Sequence, residues 1–207
     1  MEKRSALLIV DVQNDFCPGG TLAVANGDQV IPPLNNMIEH AIKEDWMVLA
    51  SRDWHPSVTT HFKKYGGLWT VHCVKNTEGA KFHPTLKLER NKLGRWYDII
   101  SKGTKPNEEG LSPFEASAFI EIHRSKMNPV RYLKVQRVVN LYIGGLTTDY
   151  CVRAAMFDAL KYGFKVYLLL DACRAVNLNP GDGERAVEEM RAAGAIITTT
   201  KEVLNGK

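Results

Sequence analysis

The strongest constraint on this chain is an alternation. Apolar runs of strand length recur along it, and most are followed by a stretch with helical spacing. Ala6–Val10 is a continuous β-rich run, the pattern of a strand buried on both faces of a parallel sheet. Val30–Lys43 places Leu34, Met37, Ile38, Ala41 and Ile42 at helical spacing, with Pro32 and Pro33 near its start. Met47–Ser51, Trp96–Ile100 and Val138–Ile143 are the next strand candidates, the last running into Gly144-Gly145. A helix is expected over Cys151–Tyr162, closed by Gly163, then a strand over Val166–Leu170 stopped by Asp171. Glu184–Ala193 reads as a helix ended by Gly194, and Ala195–Thr200 as a sixth strand. Strands separated by helical patterns predict an α/β fold, a parallel sheet covered on both faces. The 207 residues, 1–207, are expected to form a single domain. Two long connections break the rhythm, 52–95 and 101–128, and such connections usually carry function.

Composition excludes several classes. An apolar fraction of 44% with 24% charged residues is that of a globular protein rather than a disordered or membrane-embedded one. The net charge of +4 is spread as pairs and singles, Lys63-Lys64, Arg131, Lys134 and Arg137 among them, which argues against a nucleic-acid partner. No stretch reads as a signal peptide or a membrane span. Cys17, Cys73, Cys151 and Cys173 stand far apart with no CxxC, as expected of reduced thiols in a cytoplasmic protein.

In an open parallel sheet the ligand sits beyond the carboxyl ends of the strands. The first strand ends in Asp11 and the second in Asp53; the third ends near Lys102, and the fourth runs through Gly144–Tyr150 into Cys151. Cys151 at a helix start, near a lysine, is expected to have a lowered thiol pKa, with Asp11 as the general base. An ordinary cysteine is a small buried hydrophobe, the reading given to Cys17, Cys73 and Cys173. Asp53 and His55, two apart in a segment leaving a strand, project to one side, and His61 and His72 follow. That set suits one divalent metal ion, zinc ahead of iron or manganese. His40, His83 and His123 receive no role. Trp54 reads as a core residue, whereas Phe16 and Trp69, in irregular rim segments, would wall a flat apolar ligand.

Taken in order, Asp11-Val12-Gln13-Asn14-Asp15-Phe16-Cys17-Pro18-Gly19-Gly20, Asp53-Trp54-His55-Pro56, Trp69-Thr70-Val71-His72-Cys73-Val74, Lys102-Gly103 and Gly145-Leu146-Thr147-Thr148-Asp149-Tyr150-Cys151-Val152 resemble the nicotinamidase/pyrazinamidase branch of the isochorismatase-like cysteine hydrolases. The resemblance spans about Ala6 to Thr200. It implies a three-layer α/β/α, Rossmann-like fold with a six-stranded parallel sheet, and hydrolysis of nicotinamide to nicotinate and ammonia in NAD salvage. It further implies Asp11, Lys102 and Cys151 as the catalytic set and a cis peptide at Leu146–Thr147. The oxyanion hole would be built by Thr147 and Cys151, and Phe16, Trp69 and Leu146 would contact the substrate. Asp53, His55, His61 and His72 would hold the metal. Thr104–Gly110 lacks the aromatic residue that some relatives place over the pocket. The small-molecule substrate is the expected partner, with no nucleic acid and no membrane, and a homo-oligomer is left open. The alternatives are an amidohydrolase of the same superfamily acting on a linear carbamoyl compound, and a non-catalytic thiol-sensing domain.

Overall fold

A computed structural model describes residues 4–88, 97–122 and 125–206. One sheet of eight strands runs through it in the order β5-β4-β3-β2-β1-β6-β7-β8. The strands are β1 (Arg4–Val10), β2 (Met47–Asp53), β3 (Tyr97–Lys102), β4 (Phe119–Ile122), β5 (Ser125–Met127), β6 (Val138–Leu146), β7 (Lys165–Arg174) and β8 (Ile196–Thr198). Six of them, β3-β2-β1-β6-β7-β8, pair in parallel as the alternation predicts. The other two correct the expected count. A short antiparallel hairpin, β4–β5, adds to the outer edge of β3. It lies in the stretch expected to be a long polar connection, and its two strands are too short to announce a period. Ile120, fully buried and paired with Ile100, provides its apolar anchor.

The helices are α1 (Ile31–Lys43), α2 (Pro129–Val135), α3 (Arg153–Lys161), α4 (Asp182–Ala192) and α5 (Thr200–Leu204). Period-two alternation on the central strands splits the interior into two cores. Ala6, Leu8, Val10, Met47, Leu49, Leu141 and Ile143 face α2, α3 and α4, meeting Leu133, Ala155, Met156 and Met190. Leu7, Ile9, Val48 and Ala50 face the other way, onto Leu34, Met37, Ile38 and Ala41 of α1. The layering is therefore α/β/α.

Other boundaries also move. β7 passes through Asp171 instead of stopping there, because that carboxylate accepts from the Thr200 N–H (2.8 Å) and Oγ1 (2.6 Å) at the start of α5. β8 is correspondingly short, since Thr199 leaves the strand to cap α5, with Glu202 completing a capping box. The expected start of the third strand, Trp96, lies outside the described residues, as does His123. Trp54 is partly buried and packs on the α1-side core with the Arg52 guanidinium 3.7 Å above its ring.

The topology fixes where a ligand can sit. From β1 the chain winds outward through β2 and β3 on one side, and later through β6, β7 and β8 on the other. The switch point lies between β1 and β6, and the residues leaving their carboxyl ends, Asp11 and Thr147, flank it.

Candidate active site

Lys102 is the centre of the first half of the site. It closes β3, directly in register with Asp53 at the end of β2, and it is fully buried. Its Nζ lies 2.7 Å from Asp11 Oδ2, 2.5 Å from Asp53 Oδ1, 2.5 Å from the Gly110 carbonyl and 3.4 Å from Cys151 Sγ. Burial opposes its charge, but the two carboxylates outweigh that and hold the ammonium well above the usual lysine range. Asp11 leaves β1 with φ +49°, a backbone region that non-glycine residues rarely adopt and that clusters at functional sites. Its Oδ1 accepts from Ser51 Oγ at 2.7 Å. Burial raises the Asp11 pKa against the opposing pull of Lys102. Asp53 is held low: burial would raise it, but Lys102 and His55 together prevail.

Cys151 completes this half and carries a correction. It stands in a wide π-type turn, 148–152, and α3 begins only at Arg153. The structure does not give the lowered thiol pKa expected of it. Burial pushes the thiol well above its usual range, Lys102 pulls it down, and the Asp11 and Asp53 carboxylates push it up again. The carboxylates of Asp11 and Asp53 and the sulfur of Cys151 all lie within 4.8 Å of one another. The Leu146–Thr147 peptide just before this turn is cis.

The second half is built from imidazoles. His55, His61 and His72 each offer a ring nitrogen within 4.8 Å of the other two. Their Nδ1 atoms are all engaged outside the cluster: His55 with the Gly103 carbonyl (3.0 Å), His72 with the Thr70 carbonyl (2.7 Å) and His61 with Glu109 Oε2 (3.1 Å). A carbonyl or an ionised carboxylate can only accept, so each Nδ1 carries a proton and each Nε2 is the ring nitrogen left for the cluster. His55 Nε2 is buried with no hydrogen-bond partner among the described residues. Asp53 Oδ2 reaches into the same space, 3.6 Å from His55 Nε2 and 3.7 Å from His72 Nε2. Burial, with help from His55, holds His61 neutral by lowering its pKa to about 3. Three imidazoles with outward-held Nδ1–H groups, beside a carboxylate, fit a divalent cation, and the orphaned His55 Nε2 is the observation that argues for it.

Two glycines make this possible. Gly103 has φ +60°, and a Cβ there would fall 2.4 Å from His55 Cε1. Gly110, at φ +72°, packs so closely that its own Cβ would fall 2.5 Å from Gly103 Cα. The contact brings one carbonyl to His55 and the other to Lys102. Gln13, fully buried, clamps the strand end from the opposite side. Its amide accepts from Asp53 N (2.7 Å) and donates to the Asp53 carbonyl (2.9 Å).

Both halves open into one pocket of about 400 Å³, counted to its open mouth. Asp53, His61, His72, Thr147 and Cys151 line it together with Phe16, Trp69 and Leu146, the three residues expected to contact a ligand. Phe16 lies against His72 with ring centroids 5.4 Å apart, and Trp69 meets Tyr150 edge-on at 4.8 Å. Thr147 Oγ1 is buried without a hydrogen-bond partner among the described residues. Sequence reasoning missed Leu22, Glu109, Leu111, Tyr150 and Val176 as lining residues, and Gln13 as a clamp. Gln13 and Tyr150 sat inside the motifs that drew notice, and Glu109 in the Thr104–Gly110 stretch noted for its lack of an aromatic residue. It also missed Asp15, whose buried carboxylate accepts from the Cys73 N–H at 2.7 Å and so ties down the neighbour of His72.

The chain is similar to several known proteins. The nicotinamidase of Escherichia coli (strain K12) is 37% identical over 209 residues, covering 94% of this chain and 94% of that protein. The crystal structure of the pyrazinamidase of Pyrococcus horikoshii in complex with zinc matches with a TM-score of 0.82 at 41% identity, over 95% of this chain and 99% of that one. The yeast nicotinamidase bound to the inhibitor nicotinaldehyde matches with a TM-score of 0.81 at 28% identity, over 94% and 99%. The isochorismatase domain model matches residues 5–94 and 105–202, and this chain belongs to the isochorismatase family.

Proposed function

We propose that this chain is a metal-dependent nicotinamidase that also accepts pyrazinamide, and that it hydrolyses the carboxamide through a thioester on Cys151. One observation carries the reading: a single slot presents a sulfur beside a buried ammonium at one end and imidazole Nε2 atoms at the other. A linear carbamoyl substrate would leave the aromatic walls and the histidines without a task.

In the bound complex the ring lies between Phe16 and Trp69, with its carboxamide toward Cys151. Asp53, His55, His61 and His72 would hold a divalent cation, which would supply Lewis acidity to orient the ring. Asp11, whose raised pKa suits a base, takes the thiol proton as Sγ attacks the carboxamide carbon. Backbone N–H groups of Thr147 and Cys151 and the Lys102 ammonium stabilise the negative charge that forms on oxygen. Asp11 then passes the proton to the departing nitrogen, the C–N bond breaks, and ammonia leaves a thioester. Asp11 takes a proton from water as that water attacks the acyl carbon. The C–S bond breaks, Asp11 returns its proton to sulfur, and nicotinic acid departs and loses its own proton to solvent as nicotinate. Burial pushes the thiol up, which favours removal of its proton by Asp11 in the same step as attack.

We propose NAD salvage as the setting of this reaction. Its four unpaired, buried cysteines suit a reducing, cytoplasmic setting, and among the described residues no helix is long and apolar enough to cross a membrane. The direct test is ammonia release from nicotinamide by the purified protein, before and after chelation. Activity that disappears with the metal and returns with zinc supports the proposal, whereas turnover indifferent to chelation removes the metal from it.

A further inference from the structure

Glu109 has no place in the chemistry above, yet it touches the site. Its carboxylate accepts the Nδ1–H of His61 at 3.1 Å, and it lines the mouth of the pocket. The loop that carries it is latched onto the chain around His61. The Pro106 carbonyl accepts from Thr60 N (2.8 Å), Thr59 Oγ1 (2.9 Å) and Thr60 Oγ1 (3.1 Å). Consecutive residues of this loop then serve both halves of the site. Glu109 holds His61, the Gly110 carbonyl holds Lys102, and Leu111 lines the pocket. The partners of the other two histidines are backbone carbonyls, fixed by the fold. Only His61 depends on a side chain.

We propose that Glu109 is a positioning residue that makes His61 a competent third imidazole ligand by fixing its ring orientation and its Nδ1–H tautomer. The inference rests on the metal-binding reading above. The pair is asymmetric in burial: the His61 side chain is 4% exposed and that of Glu109 69%. An exposed carboxylate contributes little as a charge. Its value lies in the directed acceptor it offers to an otherwise buried N–H. Water can partly replace that acceptor, so the effect belongs at the low end of what such outer partners give, about tenfold in metal affinity.

The test uses the full chain freed of metal by chelation and titrated with zinc against a chromophoric competitor. Glu109→Ala should weaken zinc binding about tenfold. Glu109→Gln, whose amide oxygen can still accept from Nδ1–H, should recover most of the loss. Glu39→Ala, which removes an exposed acid paired with Lys87 on α1, should change nothing. Nitrogen-15 NMR of the metal-free imidazoles gives a second readout: His61 should carry its proton on Nδ1 in the wild type and in Glu109→Gln, and lose that preference in Glu109→Ala. Equal zinc affinity in wild type and Glu109→Ala would overturn the proposal, and so would a Gln variant as weak as the Ala variant. A wild-type protein that binds no zinc overturns the metal reading, and this inference falls with it.

Discussion

The two halves of the site are held in different ways. The lysine-centred half stands on strand ends: Asp11, Asp53 and Lys102 close β1, β2 and β3, and parallel register alone sets Asp53 opposite Lys102. The histidine half is carried by turns between β2 and β3. Those turns are stitched by isolated bridges, His55 to Val74 and Phe62 to Trp69, and by three hydrogen bonds from Nδ1 atoms. The acids and the lysine beside the nucleophile are fixed by the sheet, Cys151 by the turn that follows β6, and the histidines by loops. Rigid placement suits chemistry sensitive to small displacements. Loop placement lets a family vary its ligands without disturbing the nucleophile.

Substitutions can separate the halves. The largest effect is expected from Cys151→Ala, which should lower ammonia release at least about 10⁴-fold while leaving zinc binding and the thermal transition in place. Turnover within tenfold of wild type would remove the nucleophile assignment. Lys102→Ala strips the ammonium that contacts two buried carboxylates. A loss of stability of about 3–5 kcal/mol is expected in denaturant titration. It should also slow iodoacetamide alkylation of Cys151 at a given pH, because the ammonium favours the thiolate and its removal raises the thiol pKa further. An unmoved alkylation profile would mean that Lys102 does not act on the sulfur.

On the loop side, Gly103→Ala would place a methyl against the His55 ring at a positive φ. It should cost metal content, read by elemental analysis, more than it costs the alkylation rate of Cys151. Equal losses in both would show that the halves are not separable. The smallest effect is expected from Trp69→Ala, which opens one wall of the slot. It should raise KM for nicotinamide about tenfold, with kcat changed less.

The same contrast explains what was legible in the sequence. Asp11, Lys102 and Cys151 were found because continuous apolar runs and a helical period locate strand ends, and strand ends locate the ligand. The histidines were found by residue type, and the structure brings all three together with Asp53. The ion pair between Asp53 and Lys102 was not legible, because it depends on register between strands 49 residues apart. Glu109 was hidden for a related reason: an acid in an irregular, polar loop looks like any solvated charge until the fold brings it to His61. The β4–β5 hairpin escaped notice by its shortness. The thiol pKa was misjudged because a nearby ammonium and a helix start can be read from sequence, whereas complete burial and two adjacent carboxylates cannot.

The central claim is that one ring spans the sulfur of Cys151 and the ion held by the histidines. An aromatic aldehyde tests both ends at once, since a thiol adds to it to form a thiohemiacetal whose carbon is visible by ¹³C NMR when labelled. Pyridine-3-carbaldehyde should form this adduct on Cys151 far more tightly in the zinc-loaded protein than after chelation, and benzaldehyde, lacking the ring nitrogen, should be indifferent to the metal. Equal metal dependence for the two aldehydes, or an adduct that survives Cys151→Ala, would contradict the account.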